Sequence, residues 1–181
     1  MRLRLKLEWV TSFMSSNGEV ELDWWPSGTI PAPASIVWCN FPEHLSPKAP
    51  GPKSRPGLVF AVRYAGKQPD GRFNVQIAYG TSKLKTGRRP HDFIIANAAT
   101  LDVLRLPQAT RFDLDNVLWL PWAKPYFAPR NQRDPFSTPT ISVLPNSLQE
   151  QLRWTMQRRT DLGLDGSFRD MPDDQDDDGG G

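Results

Sequence analysis

GLVFAVRYA (57–65), GKQPDG (66–71) and RFNVQIAYG (72–80) decide the fold class of this 181-residue chain. Two runs rich in β-branched and aromatic residues flank a turn of Gly, Lys, Gln, Pro and Asp. Gly tolerates positive φ, Pro presets the first turn dihedral, and Asp bonds its own backbone, so the stretch reads as a β-hairpin. Toward the N-terminus, SIVWCNF (35–41) is another short apolar run, set off by the proline-rich loop FPEHLSPKAPGPKSRPG (41–57). Toward the C-terminus, the basic loop TSKLKTGRRPHD (81–92) leads to four further candidate strands: FIIAN (93–97), TLDVLRL (100–106), TRFDL (110–114) and NVLWLPW (116–122). Short strands at this spacing, with turn signals between them, predict a mainly β chain folded as a small barrel.

The ends differ from this centre. Leu3, Leu5, Leu7 and Trp9 alternate with Arg2, Arg4, Lys6 and Glu8, a period of two that predicts a half-buried strand. Asn17-Gly18 then turns the chain into Val20, Leu22 and Trp24, so 1–25 reads as an N-terminal β-hairpin, with PSGTIPAPAS (26–35) as a linker. Near the other end, Ser147 and Glu150 form an S-x-x-E capping box with Ser147 as N-cap. Leu148, Leu152 and Met156 follow as one apolar stripe of a helix, and Arg158 and Arg159 fall in its last turn, where cations suit the helix dipole. The expected organisation is an extension and linker over 1–34, a barrel domain with its C-terminal helix over 35–160, and a disordered acidic tail over 161–181.

Composition narrows the functional classes. The formal charge of +2 averages two unlike regions: 161–181 carries −7 and 1–160 carries +9, with +10 concentrated in 48–133. A domain that basic suits a polyanionic partner, although charge scattered for solubility gives the same count. No run approaches the ~18 apolar residues of a membrane helix. MRLRLK is not followed by the compact apolar core of a secretory signal, so no membrane association and a cytoplasmic location are expected. One Cys, Cys39, and two His leave no ligand set for a transition metal, and no Gly-rich phosphate loop, H-E-x-x-H or G-x-S-x-G is present. Polar residues beside basic ones remain: Lys53 to Pro56, Gly80 to Lys83, and Arg111 with Asp113. Arg111 and Asp113 stand two apart on a strand and so share a face, where they would either act together or simply pair. Tyr79, Trp119 and Trp122 are aromatic candidates for base stacking or for core.

The order of these pieces resembles the PemK/Kid/MazF family of toxin endoribonucleases. An apolar strand with a Trp (IVWCNF), a Pro/Gly loop, R-P-G-L-V-F at 55–60, a strand ending in Thr81-Ser82, R-F-D at 111–113 and a terminal helix follow in the family's sequence over roughly 35–160. The resemblance implies a small SH3-like β-barrel of the PemK/MazF/CcdB type. It would form a homodimer, bind a cognate antitoxin, and cleave single-stranded RNA without a metal or other cofactor. By position it implies Arg55, Thr81, Arg111 and Asp113 as the catalytic set, with His44 and Ser82 as supporting residues. Lys53, Lys83, Lys85, Arg88 and Arg89 would then track the RNA backbone. Cleavage through the RNA's own 2′-hydroxyl needs a group to take that proton and positive charge on the phosphorane. A carboxylate held ionised near arginine serves the first, and guanidinium forks serve the second. Arginine is a poor acid near neutrality, so Arg55 and Arg111 are expected to stabilise charge. The N-terminal hairpin, the Pro-rich stretch 123–144 and the acidic tail lie outside the family's usual layout. Two other functions fit the same fold: a non-catalytic toxin that docks on a protein such as gyrase, and a basic nucleic-acid-binding barrel without chemistry.

Overall fold

The computed structural model describes residues 22–43, 49–66, 71–84, 91–131, 134 and 137–164. Six strands form one antiparallel sheet: β1 (Ser35–Asn40), β2 (Ser54–Tyr64), β3 (Phe73–Thr81), β4 (Phe93–Ile95), β5 (Thr110–Pro121) and β6 (Thr140–Val143). Their order is β4-β5-β3-β2-β1-β6, and the sheet curls as a half-barrel. A short helix, α1 (Ala98–Val103), precedes β5, and a longer one, α2 (Asn146–Asp161), ends the described chain. The expectation of a mainly β, barrel-like fold with a C-terminal helix therefore holds.

Strand periodicity sorts the core into two layers. Ile36, Leu58, Ala78, Phe93, Phe112 and Val117 share one face, which α2 covers through Leu148, Leu152 and Met156, the stripe expected from the sequence. Val37, Val59, Val75, Ile77, Leu118 and Leu120 point to the other face. That second layer is closed by Trp122, Tyr126 and Phe127, and by Leu22, Trp25 and Ile30 from the segment before β1. The 26–35 stretch thus lies against the barrel, with Trp25 N–H donating to the Trp122 carbonyl at 3.0 Å and Trp122 Nε1 donating to Thr29 Oγ1 at 3.2 Å. Most of the hairpin expected over 1–25, and the tail beyond Leu164, fall outside the described residues.

Three local expectations are corrected. TLDVLRL (100–106) is not a strand. Asn97 caps α1 by accepting from Thr100 N–H at 3.1 Å, and FIIAN ends as a strand at Ile95. The helix stops in a paired C-terminal turn: Arg105 takes φ 54°, Arg105 N–H reaches the Asp102 carbonyl and Leu106 N–H reaches the Leu101 carbonyl. Leu101, Leu104 and Leu106 thereby join the first core layer, while Val103 is left exposed. TRFDL and NVLWLPW are one strand, β5, interrupted by a bulge. Ser147 is not the N-cap of α2. The helix begins at Asn146 after Pro145, whose carbonyl accepts from Leu148 and Gln149, and no side chain caps it.

Candidate functional site

The register of three strands lines up the sequence candidates. Gly57 pairs with Tyr79 and Tyr79 with Asp113, while Thr81 pairs with Arg111. Continued by two places, the β2–β3 register sets Arg55 opposite Thr81. Directly opposed residues share a face, so Arg55, Thr81 and Arg111 form one transverse row, with Tyr79 and Asp113 in the next. All lie on the face of Val59 and Ile77, where the second apolar layer ends at the Phe41–Tyr79 ring contact of 5.2 Å.

A bulge aims Asp113. One step along β3, from Ala78 to Tyr79, corresponds to four along β5, from Val117 to Asp113. Leu114, Asp115 and Asn116 are therefore extra. Bulges bend a strand and re-aim its side chains. Here the Asp113 carboxylate organises its own bulge, Oδ1 accepting from Asp115 N–H at 3.1 Å and Oδ2 from Asn116 Nδ2 at 2.7 Å. Asp92, just before β4, supports it from below: Oδ1 accepts from Leu114 N–H at 3.2 Å and Oδ2 from Arg111 Nη1 at 2.9 Å. On the far side Asp115 Oδ1 accepts from Nη2 of Arg159, a buried residue of α2. Burial pushes the Asp92 carboxyl above the usual carboxylate range. The Leu114 N–H bond opposes that rise, the Asp113 charge adds to it, Arg111 opposes it and Asp115 adds to it.

Above this base opens a cleft of about 480 Å³ whose lining includes Glu43, Lys53, Arg55, Tyr79, Asp113 and Asn116. The Arg55 guanidinium sits 5.6 Å from the Tyr79 ring centroid, which holds a long cationic side chain over an aromatic face. Of the residues expected from the sequence, the cleft brings together Arg55, Asp113 and Lys53. Thr81 and Arg111, in the row of Arg55, are buried, Arg111 directed to Asp92 and Thr81 Oγ1 accepting from Lys83 N–H at 3.2 Å. Ser82 and Lys83 are exposed at the strand end. His44, Lys85, Arg88 and Arg89 lie outside the described residues. Trp122 is fully buried and is core; Trp119 is buried under Arg63, whose guanidinium lies 4.3 Å from the ring centroid. Tyr79 alone of the three aromatic candidates lines the cleft.

Asp92, Asp115, Asn116 and Arg159 are absent from the sequence-based set. The only local signal was the Asp115-Asn116 break between the alternating run 110–114 and the continuous apolar run 117–122, which marks the bulge. Among the described residues no three His, Cys, Asp or Glu side chains are arranged to hold a metal ion, and no helix is long and apolar enough to cross a membrane. No protein-family model matches the chain, and no curated protein matches it either.

Proposed function

We propose that the cleft is the site of a metal-independent endoribonuclease of the PemK/Kid/MazF type, acting on single-stranded RNA. The observation that supports this reading is the cleft itself, where the register brings Arg55 and Asp113 together beside the half-buried Tyr79 ring and Lys53 joins them from just before β2. In this reading Lys53 and Arg55 hold the phosphate, and Arg55 stabilises the charge that builds on the phosphorane. Asp113 takes the proton of the 2′-hydroxyl as its oxygen attacks phosphorus. The bond to the 5′-oxygen breaks, that oxygen takes a proton from water in the open cleft, and the products are a 2′,3′-cyclic phosphate and a 5′-hydroxyl. A carboxylate offers about four lone-pair directions, so organising the bulge and accepting a proton are compatible. A second copy of the chain and an antitoxin protein are the partners this reading carries with it, and a cytoplasmic location goes with them.

One observation favours a second reading, a nucleic-acid-binding cleft without chemistry. Both Asp113 oxygens already accept bonds from the bulge, and Arg111 is turned to Asp92. Digestion of a long single-stranded RNA in excess EDTA separates the two, with wild type beside Arg55→Ala and Asp113→Asn. Cyclic-phosphate ends, reduced about a hundredfold or more in both variants, are the expected result. Salt-dependent binding without products supports the second reading, and cleavage that survives both substitutions removes the site from this cleft.

A further inference from the structure

Asp92 lies outside the cleft lining, yet it touches both parts of the site that the register assembles. Its two oxygens are divided between elements: one accepts from Arg111 in the transverse row, the other from Leu114 N–H, the first amide of the bulge that carries Asp113 and Asn116. Its side chain is only 1% exposed. Burying a carboxylate is costly even when it is paired, and an apolar residue of similar volume is often as good or better for stability. The backbone is also strained where it delivers this group. His91 takes φ 92°, a region that residues with a side chain rarely occupy, immediately before Asp92. Two unfavourable local features therefore meet at adjacent residues, His91 and Asp92, and what they produce is the placement of a row arginine relative to a bulge.

We propose that Asp92 is the positioning residue of this site: one buried carboxylate sets Arg111 and the Asp113–Asn116 bulge against each other. Asn in its place cannot do both. An amide oxygen bonded to Leu114 N–H leaves the amide NH₂ facing the Arg111 donors, and the opposite orientation sets the NH₂ against Leu114 N–H. The inference rests on the nuclease reading only for its kinetic consequence. The placement itself is independent of what the cleft does.

The full-length chain is compared as wild type and Asp92→Asn by two readouts: steady-state cleavage of single-stranded RNA per folded molecule, and the NMR resonances of the Leu114 amide and the Asn116 side-chain NH₂. Leu152→Ala, which thins the first core layer away from the cleft, supplies a variant of reduced stability for comparison. The expected result is a kcat lowered about ten- to hundredfold by Asp92→Asn with KM within about threefold, since a small misplacement of reacting groups costs rate more than binding. Leu152→Ala keeps the wild-type kcat per folded molecule. Both resonances shift in Asp92→Asn. A folded Asp92→Asn with wild-type kcat and unmoved resonances overturns the proposal. If wild type yields no products, the nuclease reading fails by itself. The resonances then decide: shifts at Leu114 and Asn116 uphold the positioning role, and unchanged signals refute it.

Discussion

Gly80 is where the fold and the site are tied most tightly, and Gly80→Ala tests that tie. Gly80 stands in β3 between Tyr79 and Thr81, paired with Phe112 of β5. A Cβ there would lie 2.2 Å from the Pro56 carbonyl oxygen and 3.0 Å from its carbon, both backbone atoms of β2, and 3.2 Å from Phe112 Cε1. The oxygen would have to recede by about 1.2 Å to reach the 3.4 Å at which ordinary contact begins. Backbone in the middle of a sheet cannot turn aside as a side chain tip can, so β2 and β3 must part at this point. Overpacking of this kind costs roughly 1–3 kcal/mol, and each strand hydrogen bond weakened adds about 1 kcal/mol. A loss near 3 kcal/mol lowers Tm by roughly 6–12 °C in a domain of this size. Thermal unfolding by circular dichroism measures it, with Gly28→Ala as the control because nothing lies within 4 Å of a Cβ there. If the cleft acts on RNA as proposed, the same displacement should weaken cleavage or binding per folded molecule, because Pro56 follows Arg55. A Gly80→Ala protein that melts with wild type, and that matches wild type in any RNA cleavage or binding the wild type shows, would mean that the close approach of β2 and β3 is not what holds Arg55 in its row.

Two further outcomes follow from the charges. Burial raises the Asp92 carboxyl above its ordinary value, so in the window between its unfolded and folded values the folded chain binds more protons than the unfolded one. Stability therefore falls as pH rises from about 4 through that window, and a urea titration of Asp92→Asn should lack this part of the wild-type decline, although Arg111, Asp113 and Asp115 face the same carboxylate and are retained. If Lys53 contacts a phosphate, Lys53→Ala should lower the slope of log K against log salt for single-stranded RNA by about 0.7, measured by fluorescence anisotropy; an unchanged slope places the RNA elsewhere.

The β2–β3 hairpin was legible because strand period and turn chemistry agree over 57–80, and the α2 stripe because three apolar residues recur at helical spacing. The misreadings arose where a local pattern had two physical solutions. Leu101, Val103 and Arg105 alternate well enough for a strand, but Leu101 and Leu104 also fit a helix, and Asn97 decides it by capping Thr100. Ser147 and Glu150 match a capping box, yet Pro145 has already started the helix two residues earlier, so Ser147 lies inside the first turn. The structure places Arg55 and Asp113 in the lining of the cleft, and both were singled out from the sequence. Asp92 was not. In the chain it follows a basic loop, like any solvated aspartate, and its partners stand 19 and 22 residues away on a strand whose register shifts between them and the rest of β5. No window short enough to show periodicity contains that arrangement.

The same rule that builds the core also obliges the charges to be where they are. Along β2 and β3 every second residue turns to one face, so the columns that place Val59 and Ile77 in the second apolar layer deliver Arg55 and Thr81 when they run on past Gly57 and Tyr79. With a regular ladder β5 would set Asn116 and Leu114 beside them, and Arg111 and Asp113 would face the other layer. The three-residue bulge, an odd insertion, turns Asp113 and Arg111 to the face of Arg55 and Thr81, and two of its amides find carboxylate partners: Asp92 for Leu114 and Asp113 for Asp115, with Arg159 of α2 holding the Asp115 side chain. The buried charges around the cleft thus belong to the bulge before they belong to any ligand. The cleft is preorganised to that extent: bonds that folding has formed already hold Asp113 and Asn116, and the Tyr79 ring steadies Arg55, so less ordering remains to be done when a ligand arrives.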